Sequence, residues 1–163
     1  MLGTIASPLR IPFEVAPSNS EDVSAGLTLN LEIIDSVQKK VLQELDAQIL
    51  HLVCQNAAEL MKKTITKETL SVMYKPCLPE NGSYEPVLRT KNNLEQLRQV
   101  KVWGKNQEIT EILKSWKNMR VAVCVTPKTV WLNSSMLGAS LDATDVLICE
   151  NDVQLECPFA MED

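Results

Sequence analysis

Glycine, histidine and aromatic residues are all scarce in this 163-residue chain, and each scarcity excludes something. None of the five glycines falls in a G-x-G or G-K-[ST] setting, so the sequence offers no glycine loop to cradle phosphates. His51 is the single histidine, which excludes histidine-rich metal sites and leaves a hydrolytic triad hard to assemble. The five cysteines (Cys54, Cys77, Cys124, Cys149 and Cys157) include no C-x-x-C pair, a pattern of reduced thiols in an intracellular compartment, cytoplasm or nucleus. No apolar run approaches the roughly 18 residues that a membrane span needs. Aromatics make up only 4% of the chain, so the position of each one is informative.

Charge is unevenly spread. Residues 62–128 hold 13 Lys and Arg against 6 Asp and Glu, a net +7, whereas residues 1–61 carry −5 and residues 129–163 carry −7 with no basic residue at all. All three tryptophans, Trp103, Trp116 and Trp131, lie in or just beyond that basic belt. Cations interleaved with aromatic faces suit a polyanion whose unpaired bases stack on the rings. A solvated surface with three core tryptophans is the competing interpretation, and for Trp116 the core is expected.

Composition is that of an ordinary globular protein, with 45% apolar and 23% charged residues. The chain divides into an extended N-terminal arm over 1–26, one α+β domain over 27–150 and an acidic tail over 151–163. Three prolines, Pro8, Pro12 and Pro17, keep the arm out of helix, and Ile11, Phe13 and Val15 alternate as in a short edge strand. Leu27, Leu29, Leu31 and Ile33 alternate with polar residues, which predicts a half-buried strand. Asp35 is placed to cap a long helix through Lys63, with Gln38 completing a capping box. Val37, Val41, Leu45, Ile49, Leu52, Val53, Ala57 and Leu60 form its expected apolar stripe. His51 is expected as a partly exposed residue of that helix. Thr66 caps a second, short helix that Lys75-Pro76 ends.

Strand character returns over 84–91 and 97–103, where Val100 and Val102 facing the core would put Lys101 and Trp103 together on the open face. Residues 104–107 read as a turn and 108–116 as a short helix. A strand over 119–125 is followed by an expected turn at Thr126-Pro127-Lys128, and a last strand covers 141–149. The expected fold is α+β, a strand-rich OB-like barrel or curved antiparallel sheet with one long N-terminal helix. Asp142 and Asp145, or Glu150 and Asp152, could hold Mg²⁺ for phosphoryl chemistry, but such pairs are more often solvated strand ends. The chain is therefore expected not to be an enzyme, with no catalytic residue, metal or cofactor.

Several stretches resemble, in pattern and order over residues 7–150, the single-stranded DNA-binding proteins of large eukaryotic DNA viruses, including that of African swine fever virus. They are residues 7–13 (Ser-Pro-Leu-Arg-Ile-Pro-Phe), the helix containing Leu45-Asp46, residues 84–91 (Tyr-Glu-Pro-Val-Leu-Arg-Thr-Lys) and residues 104–109 (Gly-Lys-Asn-Gln-Glu-Ile). Val121 to Trp131, Leu137-Gly138 and Val146 to Glu150 complete the set. The resemblance implies an OB-like barrel that binds unpaired DNA without sequence preference in replication, recombination or repair, at an intracellular or viral replication site. Arg89, Lys91 and the strand ending in Trp131 match best. The expected binding residues are Tyr84, Arg89, Lys91, Arg98, Lys101, Trp103, Lys105, Arg120, Lys128 and Trp131. A homo-oligomer is expected, with DNA favoured over RNA and the acidic tail, Glu150 to Asp163, available to a protein partner. The alternatives are a protein-interaction or scaffold module and a binder of single-stranded RNA.

Overall fold

The computed structural model describes residues 1–4, 6–14, 16–17, 27–61, 65–79, 82–92, 100–104, 106–110 and 115–151. Expectations for Val15, Lys62, Lys63, Arg98, Lys105 and the tail from 152 onward fall outside them. In chain order the elements are β1 (Leu9–Arg10), β2 (Ala16–Pro17), β3 (Leu27–Glu32), α1 (Ser36–Met61), α2 (Lys67–Met73) and β4 (Tyr74–Lys75). These are followed by β5 (Val87–Asn92), β6 (Lys101–Trp103), β7 (Ile109–Thr110), β8 (Met119–Leu132) and β9 (Leu137–Asn151).

Five of these strands close a ring. Strand β1 pairs with β3 and β8, β8 with β9, β9 with β5, and β5 with β3. Every pairing in the ring is antiparallel except β5 with β9, which meet in parallel at Lys91 and Asp142. That is the connectivity of an OB-like barrel, so the fold is α+β as expected, with β3 and β5 in the places of OB strands 2 and 3. Residues 1–17, expected as an arm, supply β1 and β2, and Leu2, Leu9 and Ile11 are buried in the core.

The alternation read from the sequence is what fills the barrel. Leu29 and Leu31 of β3, with Ile33 just beyond it, meet Leu88, Val102, Val121, Val123 and Val146, all almost fully buried. Thr90 shares this interior at no cost in unpaired polar groups, because its hydroxyl donates to the Leu29 carbonyl at 3.1 Å. Trp116 is 5% exposed and joins the core, as expected.

Helix α1 starts where Asp35 caps it. The Asp35 carboxylate accepts from the Val37 N–H at 2.6 Å and the Gln38 N–H at 3.4 Å. The capping box stays half made, since Gln38 Oε1 is buried with no hydrogen-bond partner among the described residues. Of the expected apolar stripe, Ile49, Val53 and Ala57 are buried and Leu45 packs against both hydrophobic clusters. Val37, Val41, Leu52 and Leu60 are exposed, whereas Leu42, outside the expected set, is buried. Leu70 of α2 and Leu137 of β9 receive Ile49, Val53 and Ala57, and the barrel core receives Leu42. Thr66 caps α2 as read, accepting from the Thr69 N–H. His51 is exposed.

Three further expectations are corrected. The helix over 108–116 is replaced at its start by β7, because Ile109 and Thr110 pair with Trp103 and Val102 across the Gly104–Gln107 turn. Thr126-Pro127-Lys128 is not a turn: β8 runs unbroken to Leu132, and a register shift between Pro127 and Thr129 absorbs the proline as a bulge. The chain instead reverses at 133–136, where the Asn133 side chain accepts from the Ser135 and Met136 N–H groups. As a result β9 begins at Leu137, before the expected 141.

Strand β9 is the spine of the molecule. One edge pairs with β8 along its length; the other receives three short parallel segments in succession, β4 at 137–138, β5 at 142 and β6 at 145–147. Between β4 and β5, the edge over Ala139–Leu141 has no strand partner among the described residues. No helix among the described residues is long and apolar enough to cross a membrane.

Candidate nucleic-acid interface

That interruption opens a cleft of about 430 Å³. Its floor is the unpaired stretch Ala139–Leu141, one wall is Lys75 to Cys77 with Pro79, and the other carries Val87, Arg89 and Lys91 of β5. Period two decides the second wall: Leu88 and Thr90 point into the barrel, so Arg89 and Lys91 stand on the outside. Both are exposed, and among the described residues neither makes an ion pair.

Trp131 forms the end of the cleft. It sits on the part of β8 that extends past the barrel, is 37% exposed, and lies against Gly138, its cross-strand partner. A side chain at 138 would run into the indole, with a Cβ 2.9 Å from Cε2 and 3.0 Å from Cη2. Glycine is needed there for space. On the other side of Gly138 the paired residue is Lys75 of β4, so the row Lys75, Gly138, Trp131 crosses three strands with the glycine between a cation and an indole.

The first wall is fastened from behind. Asp46 of α1 accepts from the Tyr74 hydroxyl at 2.7 Å and from the Cys77 N–H at 3.1 Å to each carboxylate oxygen. Burial, then the adjoining Asp46 carboxylate, pushes the Cys77 thiol from 9.0 up to about 12 and raises the Tyr74 phenol as well. Both groups stay protonated at neutral pH, and the tyrosine remains a donor to the carboxylate.

The expected binding residues are therefore only partly gathered. Arg89, Lys91 and Trp131 line one cleft. Lys128 stands near it on β8, with its ammonium 2.9 Å from the Asp142 carboxylate. Lys101 and Trp103 share the outer face of β6 over the buried Val102, as expected, but farther along β9. The Trp103 indole N–H donates to Asp145 at 3.0 Å, so that ring is fixed and half-buried.

Tyr84 is 81% exposed, precedes β5 in place of opening it, and is not in the cleft lining. Arg120 is placed apart, in register with Arg10 and in the hollow beside the start of α1, on the order of 30 Å along β8 from Trp131. Arg98 and Lys105 lie outside the described residues. Lys75 and Gly138 were missed as site residues. Nothing local marks Lys75, because its place depends on a parallel pairing with a strand more than sixty residues later.

Chemically the cleft offers three cations, one open aromatic face and a strand edge. Cations can neutralise phosphates, the indole can stack a base, and neither contact reads a sequence. Asp142 and Asp145, the candidate Mg²⁺ pair, are engaged by Lys128 and Trp103 respectively. No group of three or more metal-ligating side chains is found among the described residues.

No protein-family model matches the sequence, and no curated protein matches it. The fold is similar to that of a solved structure, the single-stranded DNA-binding protein from bacteriophage Enc34 in complex with ssDNA. The two share 11% sequence identity and superpose with a TM-score of 0.57 over 90% of this chain and 85% of that one. At that identity the likeness is one of fold.

Proposed function

We propose that this protein binds single-stranded DNA without sequence preference, as a non-enzymatic component of replication, recombination or repair. One observation carries the proposal: Lys75, Arg89, Lys91 and Trp131 converge on a cleft beside β5, the side of an OB-like barrel on which such folds hold oligonucleotides. The phage protein of similar fold, solved with ssDNA, supports the same ligand. Within the class, the resemblance to the proteins of large eukaryotic DNA viruses makes a viral replication site in cytoplasm or nucleus the expected location. Residues 27–150 with β1 form the binding domain, and the acidic end from Glu150 is the segment offered to a protein partner. Self-association along the strand is part of the proposal.

Polarisation of labelled single- and double-stranded DNA across a salt series tests it. Preference for the single strand, with affinity falling steeply as salt rises, is expected. Equal affinity for both forms, or none for either, overturns it. Side-by-side titration with single-stranded RNA at one salt concentration decides between the two nucleic acids.

A second function is favoured by a different surface. A groove of about 680 Å³ between the end of α1, α2 and the 133–136 turn is lined by apolar residues, Leu60, Met61, Ile65, Met73 and Leu132, together with the polar Thr66, Thr69, Asn133 and Ser134, and fits a protein-interaction module. Unchanged tryptophan fluorescence on adding oligo-dT would favour that function, because stacking on Trp131 should quench it.

A further inference from the structure

We propose that Asp46 is a positioning residue for the DNA cleft: it touches no nucleic acid, and it sets the wall that presents Lys75. The proposal rests on the single-strand DNA function above and adds to it the residue that shapes the site. Apolar contacts of Tyr74, Cys77 and Leu78 with the two hydrophobic clusters hold the wall down, but its polar ties to the sheet are few. Strand β4 is two residues long, and its pairing with β9 covers only Tyr74 with Leu137 and Lys75 with Gly138. Pro76 has no N–H, so Cys77 carries the first backbone donor after Lys75. That donor, and the Tyr74 hydroxyl on the other side of Lys75, both end on the Asp46 carboxylate.

Bonds to a carboxylate are the stronger kind, and here they come from positions 28 and 31 residues distant in sequence. Asp46 itself is well founded. Its neighbour Leu45 packs against both hydrophobic clusters, and Ile49 and Val53, further along α1, are buried. The carboxylate thus ties a short, proline-broken wall to a fixed helix. Asparagine at 46 could still accept from Tyr74 at Oδ1, but its amide nitrogen, a donor, would replace one of the two oxygens that now share the Cys77 N–H.

The test combines Asp46→Asn, Tyr74→Phe and Lys75→Ala. Asp46→Asn is expected to weaken oligo-dT binding as much as Lys75→Ala does. It should also lower the slope of log affinity against log salt by the same amount, about 0.7 for one phosphate contact on a single strand. In the Lys75→Ala background it should add nothing, because both changes remove the same cation from the cleft. Amide exchange at Cys77, measured without nucleic acid, should become about tenfold faster in Asp46→Asn. Tyr74→Phe keeps the bond to Cys77 and should show a smaller loss, and it serves as the readout should Asp46→Asn not fold. An additive loss, an unchanged salt slope, or Cys77 exchange as slow as in the wild type would overturn the role of Asp46. A wild type that binds no single strand, together with fast Cys77 exchange in Asp46→Asn, leaves Asp46 as the support of the wall and instead removes the DNA function.

Discussion

The indole of Trp131 covers Gly138, its partner across the β8–β9 ladder, and the contact leaves no room for a Cβ. The ring is thereby held against backbone, and the residue keeps 37% of its surface open beside Lys75 and Arg89. A tryptophan fixed in this way loses little freedom when a base stacks on it, which suits a platform better than a mobile ring.

Gly138→Ala should therefore act on binding through the neighbouring ring. The methyl group turns the indole out of the cleft, and oligo-dT affinity should fall toward that of Trp131→Ala. Polarisation and a shift in tryptophan emission would register the change together. Wild-type affinity in Gly138→Ala would show that the ring's placement is not used.

Arg89→Ala with Lys91→Ala removes two exposed cations on the outer side of a strand whose inner side carries Leu88 and Thr90. Single-strand affinity should drop, and the salt slope should shrink by about 1.4, at about 0.7 per contact. Thermal stability should stay within about 0.5 kcal/mol of wild type, as for other surface changes. A loss of affinity with the slope intact would mean that these residues do not meet phosphates.

The tryptophans should separate by role. Trp131→Ala should cost about 1–3 kcal/mol of single-strand binding and little stability. Trp116→Ala, at a site 5% exposed in the barrel core, should cost about 3–5 kcal/mol of folding stability. Urea titration and DNA titration of the two variants give the comparison directly. Similar profiles for both would contradict the placement of the rings.

Alkaline pH should loosen the cleft wall. The folded state raises the Cys77 thiol from 9.0 to about 12 and raises the Tyr74 phenol too, so it holds protons that the unfolded chain releases sooner. Stability from these groups is complete below pH 9 and is lost as pH climbs toward 12. Urea midpoints between pH 7 and 11 should fall at the upper end, and Cys77→Ala should fall less steeply there. Parallel curves for the two proteins would exclude the thiol as a source of the slope.

Much of the barrel was legible in the chain because strands and helix ends are written locally. The period-two run over Leu29, Leu31 and Ile33, the Asp35 and Thr66 caps, and Val100 and Val102 beneath Lys101 all follow from nearest neighbours. The failures came where two local solutions were equally good. Thr126-Pro127-Lys128 has turn chemistry, yet a bulge opposite Leu141 accommodates the proline inside a continuous strand. Ile109 fits helical spacing with Trp116, yet it is claimed by the hairpin with Trp103. On α1, both Val41 and Leu42 belong to credible stripes, and only the partner elements choose Leu42.

From composition and alternation, which are properties of neighbouring residues, came the basic middle between acidic ends and the α+β class, while the prominence of Arg89, Lys91 and Trp131 came from the family resemblance. The cleft that joins them was decided by tertiary structure. It exists because β4 and β5 dock on the same edge of β9 with three residues left between them, which brings Lys75 and Gly138 beside Trp131 and leaves Arg120 at the far end of its strand. Pairing register over such separations depends on which surfaces can be buried together, and no short stretch of the chain carries that information.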